Sequence, residues 1–399
     1  MNQRRPSYFL LFLFFAVPLE HVHPGTVLLA APAILIASVM IAWAAESSQF
    51  FIAQGFALAI LAWLQTLPEF AVEAVLAWKQ QVPLLLANLT GALRLLTGFG
   101  WPVIYLTAAY NKRRRGDGKL MFIELEPAQC IEVVGLIGPL LYISVITIKS
   151  SLSVYDGAIL TATYIGYLLI LSRMPPEDPD EIDELERVPR AIVTAPRWRR
   201  ITYISGLFTA GGLLIYASAE PFLASLLSIS TSVGIPAFVF VQWVAPLVSE
   251  FPEMASTFYW ARTVEKAPMA LMNMVSSNIN QWTLLPAMLA VVYAVSVGEP
   301  RPIVFDAHQQ LELILTLGQA FIGLLFLVNM RLAWWEATLM LVFFAIPFAS
   351  ASLALPIAIL QFAWVAFQLL RIIARRKLPE AFVYFGKAWT DYIKPKRTA

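Results

Sequence analysis

Leu67-Pro68-Glu69-Phe70 and Phe251-Pro252-Glu253-Met254 are the two stretches of sequence that decide the fold. Each Pro-Glu pair lies in a long apolar run, and the asparagine that follows comes 19 residues after the glutamate in the first case and 20 in the second. In both cases a proline precedes that asparagine by five residues, giving Pro83 with Asn88 and Pro268 with Asn273. The chain is therefore predicted to consist of two related halves.

The composition indicates a lipid environment for both halves. Of the 399 residues, 59% are hydrophobic and 14% are charged, whereas soluble domains carry about 25% charged residues. Apolar runs of about 20 residues recur along the chain, the length that a helix needs to cross a bilayer. We therefore predict an all-α polytopic membrane protein. Its core spans are expected near 26–50, 52–78, 82–110, 129–148, 154–172, 201–229, 233–261, 268–297, 308–329 and 332–349.

Basic residues near the ends of the spans predict the orientation. One cluster covers residues 112–115, after the third span, and another lies within 187–200, after the fifth. Two spans separate these clusters, so both lie on the same side, which the positive-inside rule predicts to be cytoplasmic. With five spans in each half, the second half enters the membrane from the opposite face, which is the arrangement called an inverted repeat.

Changes in composition predict five segments. An N-terminal segment, 1–25, holds a short apolar stretch near 7–19 that we expect to form a retained helix. The first repeat covers 26–173 and the second 201–349. The charged segment 174–200 between them is expected to be a solvated cytoplasmic connector. Residues 350–399 are predicted to add a further helix near 352–374 and a basic cytoplasmic tail.

Glu69 and Glu253 are the candidate centre of a functional site. A carboxylate inside a span costs at least about 2.5–3.5 kcal/mol and is by default functional. The proline before each glutamate lacks an N–H and leaves a carbonyl free one turn back. Carboxylate and carbonyl oxygens are the ligands of hard cations such as Ca²⁺ and Na⁺. The alternative is a pair of structural glutamates, protonated or hydrogen-bonded to neighbouring helices.

Other polar residues are expected to join this site. Asn88 and Asn273 lie on the next helices and either supply amide oxygens or hold helices together. Glu250 shares the helix face of Glu253, and Glu73 lies one turn after Glu69. Several carboxylates in one low-dielectric site cannot all stay ionised without cations or protons, so proton coupling is one expected mode.

This pattern resembles the α-repeats of the sodium/calcium exchanger superfamily of cation antiporters. The family motif reads roughly G-T-S-L-P-E, followed about nineteen residues later by G-N-x-x-G-S-N, and the Pro-Glu pairs and both asparagines match it. The resemblance covers residues 26 to 349 and implies a ten-helix fold. It also implies that Thr66, Ser249 and Ser277, which fall at hydroxyl positions of the motif, contribute ligands to the transported cation.

The first repeat departs from the family motif. Its second G-S-N becomes Gly91-Ala92-Leu93, which has no side-chain oxygens, and Arg94 follows. An arginine this deep in a span must be paired. We expect Arg94 to balance charge by contacting Glu69, Glu73, Glu250 or Glu253, in a position that a cation fills in typical members.

The resemblance implies a secondary antiporter that exchanges Ca²⁺ or a related cation for Na⁺ or H⁺ in the plasma membrane. Its expected partners are lipid and inorganic cations, with no nucleic acid and no cofactor. Two other functions stay open. One is a relative that no longer transports and acts as a binding or scaffold protein, and the other is an intramembrane enzyme. Nucleotide-binding, hydrolase and zinc motifs are absent from the sequence, so an enzyme is not expected.

Overall fold

The apolar runs form helices in a computed structural model that describes residues 23–48, 66–174, 185 and 187–393. Those of the first half are α1 Val27–Ser48, α2 Leu67–Trp78, α3 Val82–Leu95, α4 Trp101–Arg114, α5 Cys130–Gly135, α6 Ile137–Ile148 and α7 Val154–Leu171. A short helix, α8 Arg187–Val193, lies within the predicted connector. Those of the second half are α9 Arg197–Val233, α10 Ala237–Ser249, α11 Phe251–Ala261, α12 Ala267–Val297, α13 Ala307–Leu327 and α14 Trp334–Ala349. Two more helices follow, α15 Ala354–Arg375 and α16 Glu380–Ala388.

The helices agree with the predicted membrane spans. Within the described ranges, eight helical stretches are long and apolar enough to cross a membrane, and α10 and α14 are shorter apolar helices. One of the eight contains α15, so the helix predicted near 352–374 is present. The predicted helix at 7–19, the start of the second span and most of the acidic part of the connector lie outside the described residues. The all-α polytopic fold with two five-helix repeats is thus confirmed.

Two small antiparallel ladders join the repeats. Strand β1 (Phe122–Glu124) pairs with β4 (Arg331–Ala333), and β2 (Ser151–Leu152) pairs with β3 (Ile303–Val304). The first strand of each ladder belongs to the first repeat and the second strand to the second repeat. Both ladders therefore connect one repeat to the other, and neither forms within a single repeat.

The helix starts next to these strands are capped in the same way in both repeats. The backbone N–H of Glu126 donates to Oε1 of Gln129 at 2.9 Å, and that of Asp306 donates to Oε1 of Gln309 at 3.0 Å. In each case the side chain three residues ahead satisfies an N–H at the helix start, which is the capping-box arrangement. The repeats thus share this capping hydrogen bond as well as the order of their spans.

Helix α1 packs along α9, while α3 packs on α10 and α12 packs on α2 and α7. Glycines permit the closest of these approaches. A Cβ atom at Gly91 of α3 would lie 1.9 Å from the backbone oxygen of Gln242 in α10, and one at Gly211 of α9 would lie 3.0 Å from that of Ala37 in α1. This close packing brings the interrupted helices of the two repeats together at the centre of the bundle.

Candidate cation site

The two Pro-Glu motifs each begin a helix inside the bundle. Glu69 lies in the first turn of α2 and Glu253 in the first turn of α11, which starts directly after α10 ends. Glu250 is the residue at the junction between α10 and α11. The start of a helix carries partial positive charge from its unpaired N–H groups, so both glutamates lie where a negative charge is favoured.

Gln281 of α12 connects carboxylates from the two repeats. Its Nε2 donates to Oε2 of Glu69 at 2.7 Å and to Oε1 of Glu250 at 2.8 Å. Glu250 in turn neighbours both Glu69 and Glu253. The structure therefore brings the two Pro-Glu motifs to one buried cluster at the interface of the repeats.

Glu73 and Asn88 form the side of the cluster that belongs to the first repeat. The Nδ2 of Asn88 donates to Oε1 of Glu73 at 3.1 Å, and Glu73 lies close enough to Glu250 for their charges to interact. The exposed fractions of Glu69, Glu73, Glu250 and Glu253 are 1%, 0%, 2% and 2%. Four carboxyl groups are thus removed from solvent within one region.

The predicted hydroxyl ligands differ in their surroundings. The Oγ1 of Thr66 accepts from Nδ2 of Asn280 at 2.6 Å. The hydroxyl of Ser249 donates to the backbone oxygen of Ala245 at 3.2 Å, within its own helix. Ser277 lies beside Glu253, and neither its Oγ nor the carboxylate oxygens of Glu253 have a hydrogen-bond partner of good geometry. Ser277 and Glu253 are therefore the pair with most capacity left for a ligand.

Asn273 is half-buried, and its Nδ2 has no hydrogen-bond partner. It differs in this respect from Asn88, whose Nδ2 donates a hydrogen bond to Glu73. In the second repeat a threonine, Thr257, stands where the first repeat has Glu73, and its hydroxyl donates to the backbone of Glu253 at 2.6 Å. The two repeats thus contribute different ligand sets to the cluster.

Across the described part of the chain, no three His, Cys, Asp or Glu side chains converge as a ready-made metal centre. The amide of Gln281 lies between Glu69 and Glu250 instead. Binding a cation to these carboxylates would require the amide nitrogen to withdraw, leaving its oxygen as a further ligand. Oε1 of Gln281 has no hydrogen-bond partner and is available for that role.

The prediction that Arg94 contacts one of the four clustered glutamates is wrong. Its Nη2 forms an ion pair with Oε2 of Glu312 in α13 at 2.5 Å, and its guanidinium lies over the ring of Trp243 at 5.2 Å. The Nε2 of Gln242 donates to the same oxygen of Glu312 at 2.7 Å. Arg94 comes six residues after Asn88, and at 100° per residue this places it roughly 240° around the helix. The two side chains therefore point to different sides of α3.

The second repeat keeps the side-chain oxygens of the later S-N motif that the first repeat has lost. Asn278, in the second-repeat S-N motif, accepts from the hydroxyl of Thr97 at 3.1 Å and donates to the backbone oxygen of Met274 at 2.9 Å. Ala92 and Leu93 are buried but supply no oxygen. The two repeats therefore differ at these positions, where the first supplies no side-chain oxygen and the second supplies Ser277 and Asn278.

Sequence reasoning missed Gln281, Asn280 and Glu312 as members of these buried networks. A signal for Gln281 was present, because Asn273, Ser277 and Gln281 are spaced four residues apart and so share one face of α12. Glu312 had only its buried position as a signal, since it lies outside both repeated motifs.

Replacing Gln281 with Met is expected to weaken Ca²⁺ binding by roughly tenfold while the protein stays folded. Met fills a similar volume but removes the amide, whose oxygen becomes a further Ca²⁺ ligand once its nitrogen withdraws, and a polar interaction with a charged group contributes about 1.5–3 kcal/mol. Calorimetric titration of the purified protein with Ca²⁺ measures the effect. Gln361→Met is the matched control, because Gln361 is also fully buried but lies on α15. Equal affinities in the two variants would contradict this role for Gln281.

Two repeats that meet at buried carboxylates, on helices that begin inside the bundle, define a membrane transporter. Residues 23–173 and 203–350 match the family model described as sodium/calcium exchanger protein. The chain belongs to this family, which confirms the resemblance and makes it a transporter, not an enzyme.

Solved structures agree with this assignment. The crystal structure of the H⁺/Ca²⁺ exchanger CAX is 29% identical over 92% of each chain, with a TM-score of 0.83. The sodium–calcium exchanger NCX_Mj, in a structure soaked with 10 mM Na⁺ and zero Ca²⁺, is 17% identical over 82% of this chain and 97% of that one, with a TM-score of 0.54. This second likeness shows the fold alone. A search of curated proteins gave no match.

Proposed function

We propose that this protein exchanges Ca²⁺ for protons, and that the cluster of Glu69, Glu73, Glu250 and Glu253 binds both ions. The observation that carries the proposal is the amide of Gln281, which donates to Glu69 of the first repeat and to Glu250 of the second, three residues before Glu253. Carboxylate oxygens are preferred ligands of Ca²⁺ and also accept protons.

The charge of the cluster supports exchange. In the ranges that the structure describes, ion pairs of good geometry link Lys79 to Glu220, Arg94 to Glu312 and Lys149 to Asp156, and none includes the four glutamates. An uncompensated buried charge costs several kcal/mol. The site therefore favours a neutralised form, with either a divalent cation or protons bound. Rearrangement of the low-dielectric bundle while the site is empty and ionised is disfavoured. The transport of one ion is therefore coupled to the transport of the other.

Protons suit the first repeat better than Na⁺. A Na⁺ site needs several oxygen ligands of its own, and Ala92 and Leu93 replace side-chain oxygens of the family motif. A carboxylate can accept a proton without further ligands. The likeness to an H⁺/Ca²⁺ exchanger at 29% identity points the same way. Na⁺ coupling is the alternative that the experiment must separate.

Pairing of Arg94 also favours a transporting protein over a scaffold. An arginine inside the carboxylate cluster would replace a cation permanently, but Arg94 is engaged by Glu312. We further infer a plasma-membrane location, and we assign the connector 174–200 to the cytoplasmic side because the basic residues cluster at the span ends that face it.

Proteoliposomes containing the purified protein test the proposal. With an inside-acid pH gradient and no Na⁺, the vesicles are expected to accumulate Ca²⁺, followed by an external Ca²⁺ indicator, and a protonophore should abolish this uptake. Uptake driven by an inside-high Na⁺ gradient, and not by pH, would contradict proton coupling. Absence of uptake under both gradients would contradict antiport itself.

A further inference from the structure

An open cavity of about 610 Å³ lies where α4 ends beside the end of α11. It shares no lining residue with the glutamate cluster, and Arg262 lies nine residues after Glu253, about 13 Å along a helix. Its lining residues come from the last turns of α4 and from the residue directly after α11, and they are Leu106, Thr107, Tyr110, Asn111, Arg114 and Arg262.

The lining is apolar at one end and cationic at the other. Leu106, Tyr110 and Arg114 are spaced four residues apart and so form one stripe along α4. The exposed fractions of Leu106 and Tyr110 are 49% and 65%, an exposure that suits contact with lipid chains. Arg114 continues the stripe past the apolar part of the helix, and Arg262 borders the cavity from the position directly after α11. Two guanidinium groups thus border one cavity at the level where the spans end.

A phosphodiester with acyl chains matches this arrangement. Guanidinium groups bind phosphate oxygens through paired N–H donors, and the amide of Asn111 adds a neutral polar group. Basic residues just beyond a membrane span attract anionic lipids. None of the described residues that line the cavity is acidic. We propose that this cavity binds the phosphate headgroup of an anionic phospholipid, with the lipid chains along Leu106 and Tyr110.

Such a lipid would link two helices that lead to the glutamate cluster. Arg262 directly follows α11, which begins with Glu253, and α4 continues the same span as α3, which carries Asn88. The two helices α4 and α11 pack on each other. A headgroup held between their ends would brace this contact. The lipid site is independent of the proposed function, because its binding can be measured without any ion flux.

Native mass spectrometry of the purified full-length protein, delipidated and then titrated with phosphatidylglycerol or phosphatidylcholine, tests the proposal. The parent is expected to retain phosphatidylglycerol in preference to phosphatidylcholine. Arg114→Gln/Arg262→Gln should lower this retention by about tenfold. Arg113→Gln/Arg115→Gln is the matched control, because it removes the same charge from exposed residues of the same helix end that do not line the cavity.

Three results would overturn the lipid site: equal retention by the two double variants, equal retention of the two lipids by the parent, or displacement of phosphatidylglycerol by millimolar inorganic phosphate. The last would indicate a site for a soluble anion. If the double variant at Arg114 and Arg262 does not fold, Arg114→Gln alone serves, because Arg114 is exposed at a helix end, and it should reduce retention severalfold. Parental retention in that single variant would contradict the proposal.

Discussion

Glu69→Gln and Glu253→Gln are each expected to lower Ca²⁺ uptake into proteoliposomes to about one hundredth of the parental rate. Each substitution keeps the shape of the side chain but removes one negative charge from the buried cluster. Loss of one partner from a buried charged contact costs about 3 kcal/mol or more, which corresponds to roughly a hundredfold in affinity. The initial rate under an inside-acid gradient measures the effect.

Glu299→Gln is the control for both substitutions, because it makes the same chemical change at an exposed position after α12. This variant should transport at the parental rate. Circular dichroism and size-exclusion chromatography should show all three variants folded. If Glu69→Gln and Glu253→Gln both transport like Glu299→Gln, the carboxylates are structural and the proposed cation site is wrong.

Arg94→Met is expected to destabilise the protein by about 3–5 kcal/mol, because it leaves Glu312 buried without its cation. Glu312 is 7% exposed, and Arg94 is 3% exposed. The measurement is the free energy of unfolding, or the shift in Tm, in detergent. The sequence alone suggested that this arginine takes a position that a cation fills in typical members of the family. Its position outside the glutamate cluster predicts unchanged ion dependence in whatever fraction folds.

A second substitution distinguishes the effect on stability of losing the ion pair from the effect of losing the Arg94 side chain itself. Arg94→Met/Glu312→Gln should recover most of the stability, since replacing both members of a buried pair by neutral groups is often close to neutral. Lys149→Met is the control, because Lys149 pairs with Asp156 but its side chain is 37% exposed, and it should cost less than about 1 kcal/mol. Parental stability in Arg94→Met, or no recovery in the double variant, would contradict this account.

The span pattern and the centre of the candidate site could be predicted because they depend on local sequence. An apolar run of about 20 residues has few alternatives to a membrane helix. A buried glutamate after a proline, repeated in both halves, singled out Glu69 and Glu253, and their motifs do lie in one cluster. Asn88 and Glu73 were expected nearby, and they form a hydrogen bond with each other.

The contacts between helices could not be predicted in the same way. Distance along the sequence suggested that Arg94 lies near the glutamates, but the rotation of α3 turns it toward α13. Which helix faces that side depends on the packing of α3 against α10, where Gly91 permits close approach. Gln281 was overlooked because the family motif ends before it, although its spacing from Ser277 places both on one face of α12. Side-chain partners thus required the three-dimensional arrangement of both repeats.

The pairing of strands between the two repeats also determines when the ladders can form during biosynthesis. Among the described strands, β2 of the first repeat pairs with β3 alone, which the ribosome makes later. At about 5–20 residues per second, the roughly 150 residues between them take on the order of ten to thirty seconds to translate. During that interval the newly made first half has unpaired backbone groups at both of its strands. A nascent chain stalled before Ile303 therefore cannot complete either ladder. Both ladders form only after the second half has been synthesised.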